Sequence, residues 1–167
     1  MLLHTTLVTL LLPAFLALAL ASSPTASCPQ HWVDASSEGL GCLLFNSITQ
    51  YSWDGANNFC QSQPSATLIK ITSEMQLQFV KRQLEFLADE DGARSWWTSG
   101  TDAGRDGQWH WASSLEPVGA FVWQDLYPSG ATDNCLYLNC DTGFSGENYN
   151  CLVMDRFYPV CQMYNIA

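Results

Sequence analysis

The order of predicted elements along this 167-residue chain indicates an α+β fold. A strand and two helices come first, and a series of short strands follows them. Between Ser113 and Asn134 lies a long irregular stretch rich in Gly, Pro, Ser and Asp. The chain also has seven cysteines, which is typical of a small disulfide-bonded domain from an oxidising compartment.

The first 21 residues have the pattern of a secretory signal peptide. Leu7 to Ala21 is an apolar run that ends in the small-x-small cleavage sequence Ala19-Leu20-Ala21. The run is shorter than the roughly 20 residues of a bilayer span, and it contains Pro13. We therefore expect a signal peptide over 1–21, a short lead over 22–27 and one domain over 28–163. The protein is expected to be secreted and extracellular, with no membrane insertion.

The acidic composition of the chain argues against a nucleic-acid partner. Net charge is −10, with 16 acidic residues against six Lys and Arg. Such a chain repels phosphate backbones, so we expect no nucleic-acid partner. The roughly 145 residues after the signal peptide suit one domain with one core.

The first half of the domain shows helix and strand signals. Gly41 to Phe45 is predicted as a strand, and Ser52 as the N-cap of a first helix that runs through Cys60. Thr67 to Ile71 alternates like a strand. Thr72 or Ser73 then caps a second helix, which ends in the charged segment 89–92. The apolar residues of this helix recur at helical spacing and predict its core face: Met75, Phe79, Val80, Leu84 and Leu87.

The second half is predicted to be mostly strands around the long loop. The candidates are 96–100, 108–112, 135–138, 151–154 and 158–163. Phe121, Trp123 and Tyr127 lie within the loop, and so many aromatic residues argue against disorder.

Several motifs, in this order and spacing, resemble a C-type lectin-like domain. They are Cys28-Pro29…Trp32…Gly41-Cys42…Phe45, Trp53…Ala56…Phe59-Cys60, Trp97-Thr98-Ser99-Gly100, Gly107-Gln108-Trp109-His110-Trp111, and Cys135, Cys151 and Cys161. The opening motif is similar to the long form of the family, which has an extra N-terminal disulfide. The resemblance implies two helices, small antiparallel sheets and a long ligand-binding loop.

The resemblance also implies a disulfide pattern that spacing alone leaves open. It pairs Cys28 with Cys42, Cys60 with Cys161, and Cys135 with Cys151. Cys140 remains. It is either a competitor of Cys135 for Cys151, a free thiol, or a bridge to a second chain in a disulfide-linked homodimer. The sequence around Cys135 matches the family strand, which favours Cys135 in the intrachain pair.

Sugar-binding members of the family hold the sugar through a calcium ion in the long loop. Calcium takes six to eight oxygen ligands, some of which neighbouring sugar hydroxyls can supply. The family's Glu-Pro-Asn or Gln-Pro-Asp triplet corresponds here to Tyr127-Pro128-Ser129. Pro128 can keep the cis peptide bond of the motif, but Tyr127 is a poor calcium ligand and Ser129 a weak one, so the triplet specifies neither sugar class.

Other ligand positions keep oxygen-bearing side chains. Asp133, Glu147 and Asn148 match the remaining ligands of the sugar site, although the carboxylate and the amide of the last two are exchanged. Asp102, Asp106 and Asn134 match an auxiliary calcium position. The resemblance thus implies Ca2+ as a cofactor, whereas turn formation and strand capping explain the same residues without a metal.

Trp123 and Tyr127 are candidates for a sugar-stacking face, while Trp97, Trp109 and Trp111 are expected in the core. The leading hypothesis is a secreted lectin that binds glycans on microbial or cell surfaces in innate immunity. The alternative is a calcium-independent member of the fold that binds a protein, a lipid or ice. An enzyme is not expected, because His31 and His110 stand beside no nucleophile and no zinc-ligand cluster.

Overall fold

The computed structural model describes residues 27–91, 94–130, 134–154 and 156–164, with only the backbone at 89–91. Within these ranges the chain forms eight strands and two α-helices. Their bounds in chain order are β1 Val33–Ala35, β2 Gly41–Phe45, α1 Trp53–Gln61, β3 Ala66–Leu68, α2 Glu74–Asp91, β4 Trp96–Thr101, β5 His110–Trp111, β6 Cys135–Asn139, β7 Ser145–Tyr149 and β8 Tyr158–Met163. The α+β prediction is confirmed.

The strands form one mixed sheet with the order β1-β2-β8-β4-β6-β7. β3 pairs with residues 161–163 of β8, which also pair with β2, and β5 pairs with β4. The β4–β8 pair is parallel and the others are antiparallel, so the expected small antiparallel sheets are joined by a parallel contact. The long loop leaves from β5 and returns into β6, which places it at one end of this half of the sheet.

Each helix begins where a serine caps it. The Ser52 hydroxyl accepts a hydrogen bond from the Gly55 N–H at 3.2 Å, and the Ser73 hydroxyl accepts one from the Gln76 N–H at 3.2 Å. The predicted core face of α2 is partly wrong. Val80 and Leu84 are buried and Phe79 and Leu87 pack partly buried against the core, whereas Met75 is 63% exposed and Leu77, which was not predicted, is buried instead.

Three groups of buried side chains fill the interior of the described chain, and the smallest consists of Cys42, Ala66 and Met163. The largest lies between α2 and the sheet and includes Leu43, Ile69, Trp96, Trp111 and Leu136. The second lies under α1 and includes Trp97, whose indole N–H donates to the Tyr51 carbonyl at 2.8 Å. Trp97 and Trp111 are therefore core residues, as predicted.

Three disulfides join the described cysteines as the resemblance implied. Cys28 bonds Cys42, Cys60 bonds Cys161, and Cys135 bonds Cys151. Cys140 is a partly exposed thiol in this chain.

Some predicted boundaries differ from the structure. Residues 151–154 form a turn, and the strand that pairs with β6 is β7 at 145–149. β3 is shorter than 67–71, and β1 had no signal in the sequence. The signal peptide over 1–21 and nearly all of the lead lie outside the described residues. No helix in the described ranges is both long enough and apolar enough for a bilayer span.

Candidate functional site

The long loop is fastened to β7 by backbone hydrogen bonds. After a short 3-10 helix at Ala120–Val122, Trp123 forms a parallel bridge to Gly146, and the Gln124 N–H donates to the Gly146 carbonyl at 2.8 Å. The Tyr127 N–H then donates to the Gln124 carbonyl at 3.0 Å, and a cis peptide bond joins Tyr127 to Pro128 as expected. These contacts fix Trp123, Tyr127 and Pro128 along one edge of the sheet.

Asn148 holds the next residue of the loop. Its Oδ1 accepts from the Ser129 N–H at 2.7 Å, and its Nδ2 donates to the Ser129 carbonyl at 2.6 Å. The Asn148 side chain is 4% exposed. We call this pair of hydrogen bonds the Asn148–Ser129 clamp. The structure thus brings two predicted ligand residues together, but through direct hydrogen bonds.

Glu147 points to the opposite face of β7, because neighbouring side chains alternate along a strand. Its carboxylate accepts from the Tyr137 hydroxyl at 2.8 Å, from Asn139 Nδ2 at 2.9 Å and from the Thr142 hydroxyl at 3.2 Å. Glu147 is 5% exposed. Burial and the hydrogen bond to this carboxylate raise the pKa of Tyr137. Glu147 and Asn148 therefore do not converge on one point, contrary to the arrangement that a shared ion requires.

The residues of the auxiliary position form a structural brace. Asp102 Oδ1 accepts from Asn134 Nδ2 at 2.5 Å, and its Oδ2 accepts from the Gly107 N–H at 2.9 Å. The Asp102 N–H also donates to the Asn134 carbonyl at 3.2 Å. These bonds join the 102–107 turn to the start of β6. Asp106 is exposed beside this brace, and the predicted ligand Asp133 lies outside the described residues.

The donors that the structure describes do not fit calcium at either position. Both oxygens of Asp102 already accept hydrogen bonds, and the oxygens of Glu147 face away from the loop. Among the described His, Cys, Asp and Glu residues, no three are grouped so that they could hold a metal ion. Calcium needs several converging oxygens, which these side chains do not supply.

Two adjoining cavities lie between the 102–109 turn and the long loop, with volumes of about 510 and 300 Å³. They share Gly107, Trp109 and Pro128, and together we call them the loop groove. Its aromatic wall contains Trp123 and Tyr127, with Trp109 and Trp123 edge to face at 4.7 Å between ring centroids. Val118 and Leu126 extend the apolar wall.

Trp109 is the residue that sequence reasoning missed. It was expected in the core with Trp111, because both occupy one face of an assumed strand over 108–112. The strand begins only at His110, and Trp109 is half-buried at the wall of the groove. No local sequence signal distinguishes these two tryptophans.

A disulfide-bonded α+β domain with a long loop between β5 and β6 defines the class of protein. The family model of the Lectin C-type domain matches residues 49–163, so the chain belongs to this family. Its sequence is 26% identical over 140 residues to C-type lectin domain family 7 member A from Bos taurus. That match covers 83% of this chain but only 51% of the bovine protein.

Solved structures agree with the family assignment. Human lithostathine superimposes with a TM-score of 0.72 at 25% identity, covering 88% of this chain and 99% of that one. A calcium-independent type II antifreeze protein has a TM-score of 0.65 at 20% identity, covering 81% and 93% of the two chains. The second likeness shows the fold alone. Membership in the family therefore leaves the ligand and the use of calcium to be argued from the site.

Proposed function

We propose that this protein binds carbohydrate in the loop groove and that it does so without calcium. The observation that carries the proposal is the aromatic wall of Trp109 and Trp123 beside the Asn148–Ser129 clamp. The wall offers a surface for a sugar ring, and the clamp occupies the groups that would otherwise face a metal.

Aromatic rings suit sugar recognition because one face of a pyranose ring is apolar. A ring that stacks on indole buries this face, while its hydroxyl groups stay available for hydrogen bonds. The larger cavity, at about 510 Å³, lies within the usual range of small-ligand sites. Backbone groups of the loop and the side chain of Gln124 supply polar partners at its rim.

The hydrogen bonds that already engage Asn148, Glu147 and Asp102 favour the metal-independent alternative over the metal-dependent one. In the family mechanism an ion joins the triplet segment to the strand that follows it. Here Asn148 joins the same two segments directly, and Glu147 is held by three donors on the other face. These hydrogen bonds hold the described part of the loop against β7.

A glycan array in calcium and again in chelator tests both parts of the proposal. We expect the same glycans to be bound in both buffers, and Trp123→Leu and Trp109→Leu to lose binding. Phe86→Leu is the matched control, since Phe86 is 64% exposed on α2 and does not line the groove. Binding that vanishes in chelator would disprove calcium independence. A blank array in both buffers would disprove carbohydrate binding.

One observation favours a second candidate, a protein ligand. Leu126 is 94% exposed at the wall of the groove, where a bound protein would bury it. A blank glycan array combined with a protein partner whose binding Leu126→Ser abolishes would support this candidate.

The biological setting remains part of the proposal. Secretion, a role in innate immunity and glycans of microbial or cell surfaces as targets are predictions from the sequence. Migration of purified secreted protein on non-reducing and reducing gels tests the predicted homodimer through Cys140. A monomer band in both lanes would remove that prediction.

A further inference from the structure

We infer that the loop groove selects carbohydrates that carry free amino groups over neutral or anionic ones. This inference rests on the proposed carbohydrate binding and names the class of ligand. It follows from the charge of the residues that line the groove together with its aromatic wall.

Acidic residues line both cavities of the groove. Asp102 and Asp106 line the smaller cavity, and Asp125 lines the larger one. No Lys, Arg or His lines either cavity among the residues that the structure describes. Arg105 belongs to the same turn as Asp106 but is not a lining residue. A ligand in the groove therefore meets a carboxylate in each cavity and no basic lining residue among those that the structure describes.

The three carboxylates differ in how they are held. Asp102 is fixed by its bonds to Asn134 and Gly107 and is 8% exposed, so it acts as a stationary charge. Asp106 and Asp125 are exposed, and neither side chain has a hydrogen bond or an ion pair within the described residues. These two can turn toward a ligand ammonium group without breaking a contact of the protein.

The aromatic wall adds to the same preference. An ammonium group over an indole face is attracted by the negative potential of the ring, and tryptophan is the strongest partner for this contact. Trp109 lines both cavities together with these carboxylates, and Trp123 packs edge to face against it in the larger one. A neutral sugar gains stacking from this wall, whereas an amino sugar gains both stacking and charge attraction. An anionic sugar is repelled by all three carboxylates and by the net charge of −10.

Two oligosaccharides of equal length, a glucosamine tetramer and an N-acetylglucosamine tetramer, test the inference. Binding is followed by tryptophan fluorescence in chelator, at a pH where the amines are protonated. We expect the glucosamine tetramer to bind about tenfold more tightly at low salt, since one ammonium contact of this kind supports such a ratio. The ratio should shrink in high salt, because exposed charges are screened.

Variants separate the local charge from the charge of the whole protein. Asp106→Asn/Asp125→Asn should remove most of the preference for the glucosamine tetramer, because its affinity for that tetramer falls far more than its affinity for the N-acetylated one. The control is Asp54→Asn/Glu85→Gln, which removes two charges from exposed positions on α1 and α2. It should keep the preference. Melting temperatures of all variants check that each is folded.

The outcomes distinguish this inference from the proposed function. Equal binding of the two tetramers would overturn the amino-sugar preference and leave carbohydrate binding intact. The same loss of preference in both double variants would assign it to net charge and also overturn the inference. If neither tetramer binds but the array shows another glycan bound, only the amino-sugar inference fails. If nothing on the array binds, or a lysine-rich peptide binds while no glycan does, both fail.

Discussion

The carboxamide of Asn148 bonds both backbone polar groups of Ser129, with distances of 2.7 Å to the N–H and 2.6 Å to the carbonyl. The two hydrogen bonds have the same donor and acceptor pattern as a residue pair in a β-sheet, but the Asn148 side chain takes the place of one backbone. They join the segment after Pro128 to β7, and Pro128 lines both cavities of the groove. The shape of the groove thus depends on one buried amide.

Replacing Asn148 by alanine should destabilise the protein and weaken ligand binding. Two hydrogen bonds are lost, each worth about 0.5–1.5 kcal/mol, so the free energy of unfolding should fall by about 1–3 kcal/mol. Urea denaturation measures this change, and fluorescence titration measures the binding. Asn58→Ala on the exposed side of α1 is the matched control and should change stability by less than about 0.5 kcal/mol.

Asn148→Asp separates the hydrogen bonds from simple packing. The carboxylate can still accept from the Ser129 N–H, but it places negative charge against the Ser129 carbonyl. We expect a loss of stability at least as large as in the alanine variant, and no recovery on adding calcium. Full recovery in calcium would show that the position is a metal site after all.

The parts of the fold that the sequence predicted are those with local signals. Ser52 and Ser73 cap their helices within three residues, so the helix starts follow from short-range chemistry. Met75 was misplaced because the apolar spacing of α2 allows two rotations of the helix, and only packing on the sheet selects Leu77 instead. The disulfide partners came from the family resemblance and were confirmed.

The site was predicted less well for one physical reason. β7 has the sequence Ser-Gly-Glu-Asn-Tyr, which has little β-propensity, and pairing with β6 makes it a strand. Without that strand, nothing in the sequence shows that Glu147 and Asn148 face opposite sides. The burial of Glu147 against Tyr137 is a tertiary contact that residue spacing does not encode.

Alanine at Gly41 should be far more costly than alanine at Gly104. Both residues have φ in the left-handed region, at +69° and +74°, which costs an L-residue about 1–2 kcal/mol. A Cβ at Gly41 would lie 2.2 Å from the Met163 carbonyl oxygen, whereas Gly104 has nothing within 4 Å. We expect the loss in free energy of unfolding, measured in urea, to be at least about 2 kcal/mol larger for Gly41→Ala than for Gly104→Ala. Equal losses would show that β2 and β8 separate easily at this point.

The three disulfides should contribute unequally to stability. Cys60–Cys161 spans 101 residues and Cys28–Cys42 spans 14. In the chain-entropy model, loops of these sizes correspond to about 4.7 and 3 kcal/mol. Cys60→Ala/Cys161→Ala should therefore lose more stability than Cys28→Ala/Cys42→Ala when both are unfolded in urea. The reverse order would mean that native contacts of the N-terminal segment outweigh the loop-closure entropy.

Tyr137 should make the protein less stable as the pH rises above about 10. Burial, followed by the hydrogen bond to Glu147, raises its pKa in the folded state above the ordinary value of 10.0. As the pH rises, the unfolded chain therefore loses the phenol proton before the folded chain does. The contribution of Tyr137 to the free energy of unfolding is fully present below pH 10 and falls above it. The free energy of unfolding should then fall with a slope that approaches about 1.4 kcal/mol per pH unit for this one group.

The variant Tyr137→Phe tests this pH dependence. It should lose about 1 kcal/mol of stability at neutral pH, because the hydrogen bond is lost, yet its stability should fall less steeply above pH 10. Because Tyr164, whose pKa burial also raises, is present in both proteins, the difference between the two urea-unfolding profiles isolates Tyr137. Parallel profiles for the two proteins from pH 8 to 11 would show that the Tyr137 hydroxyl ionises in the folded state as it does in water.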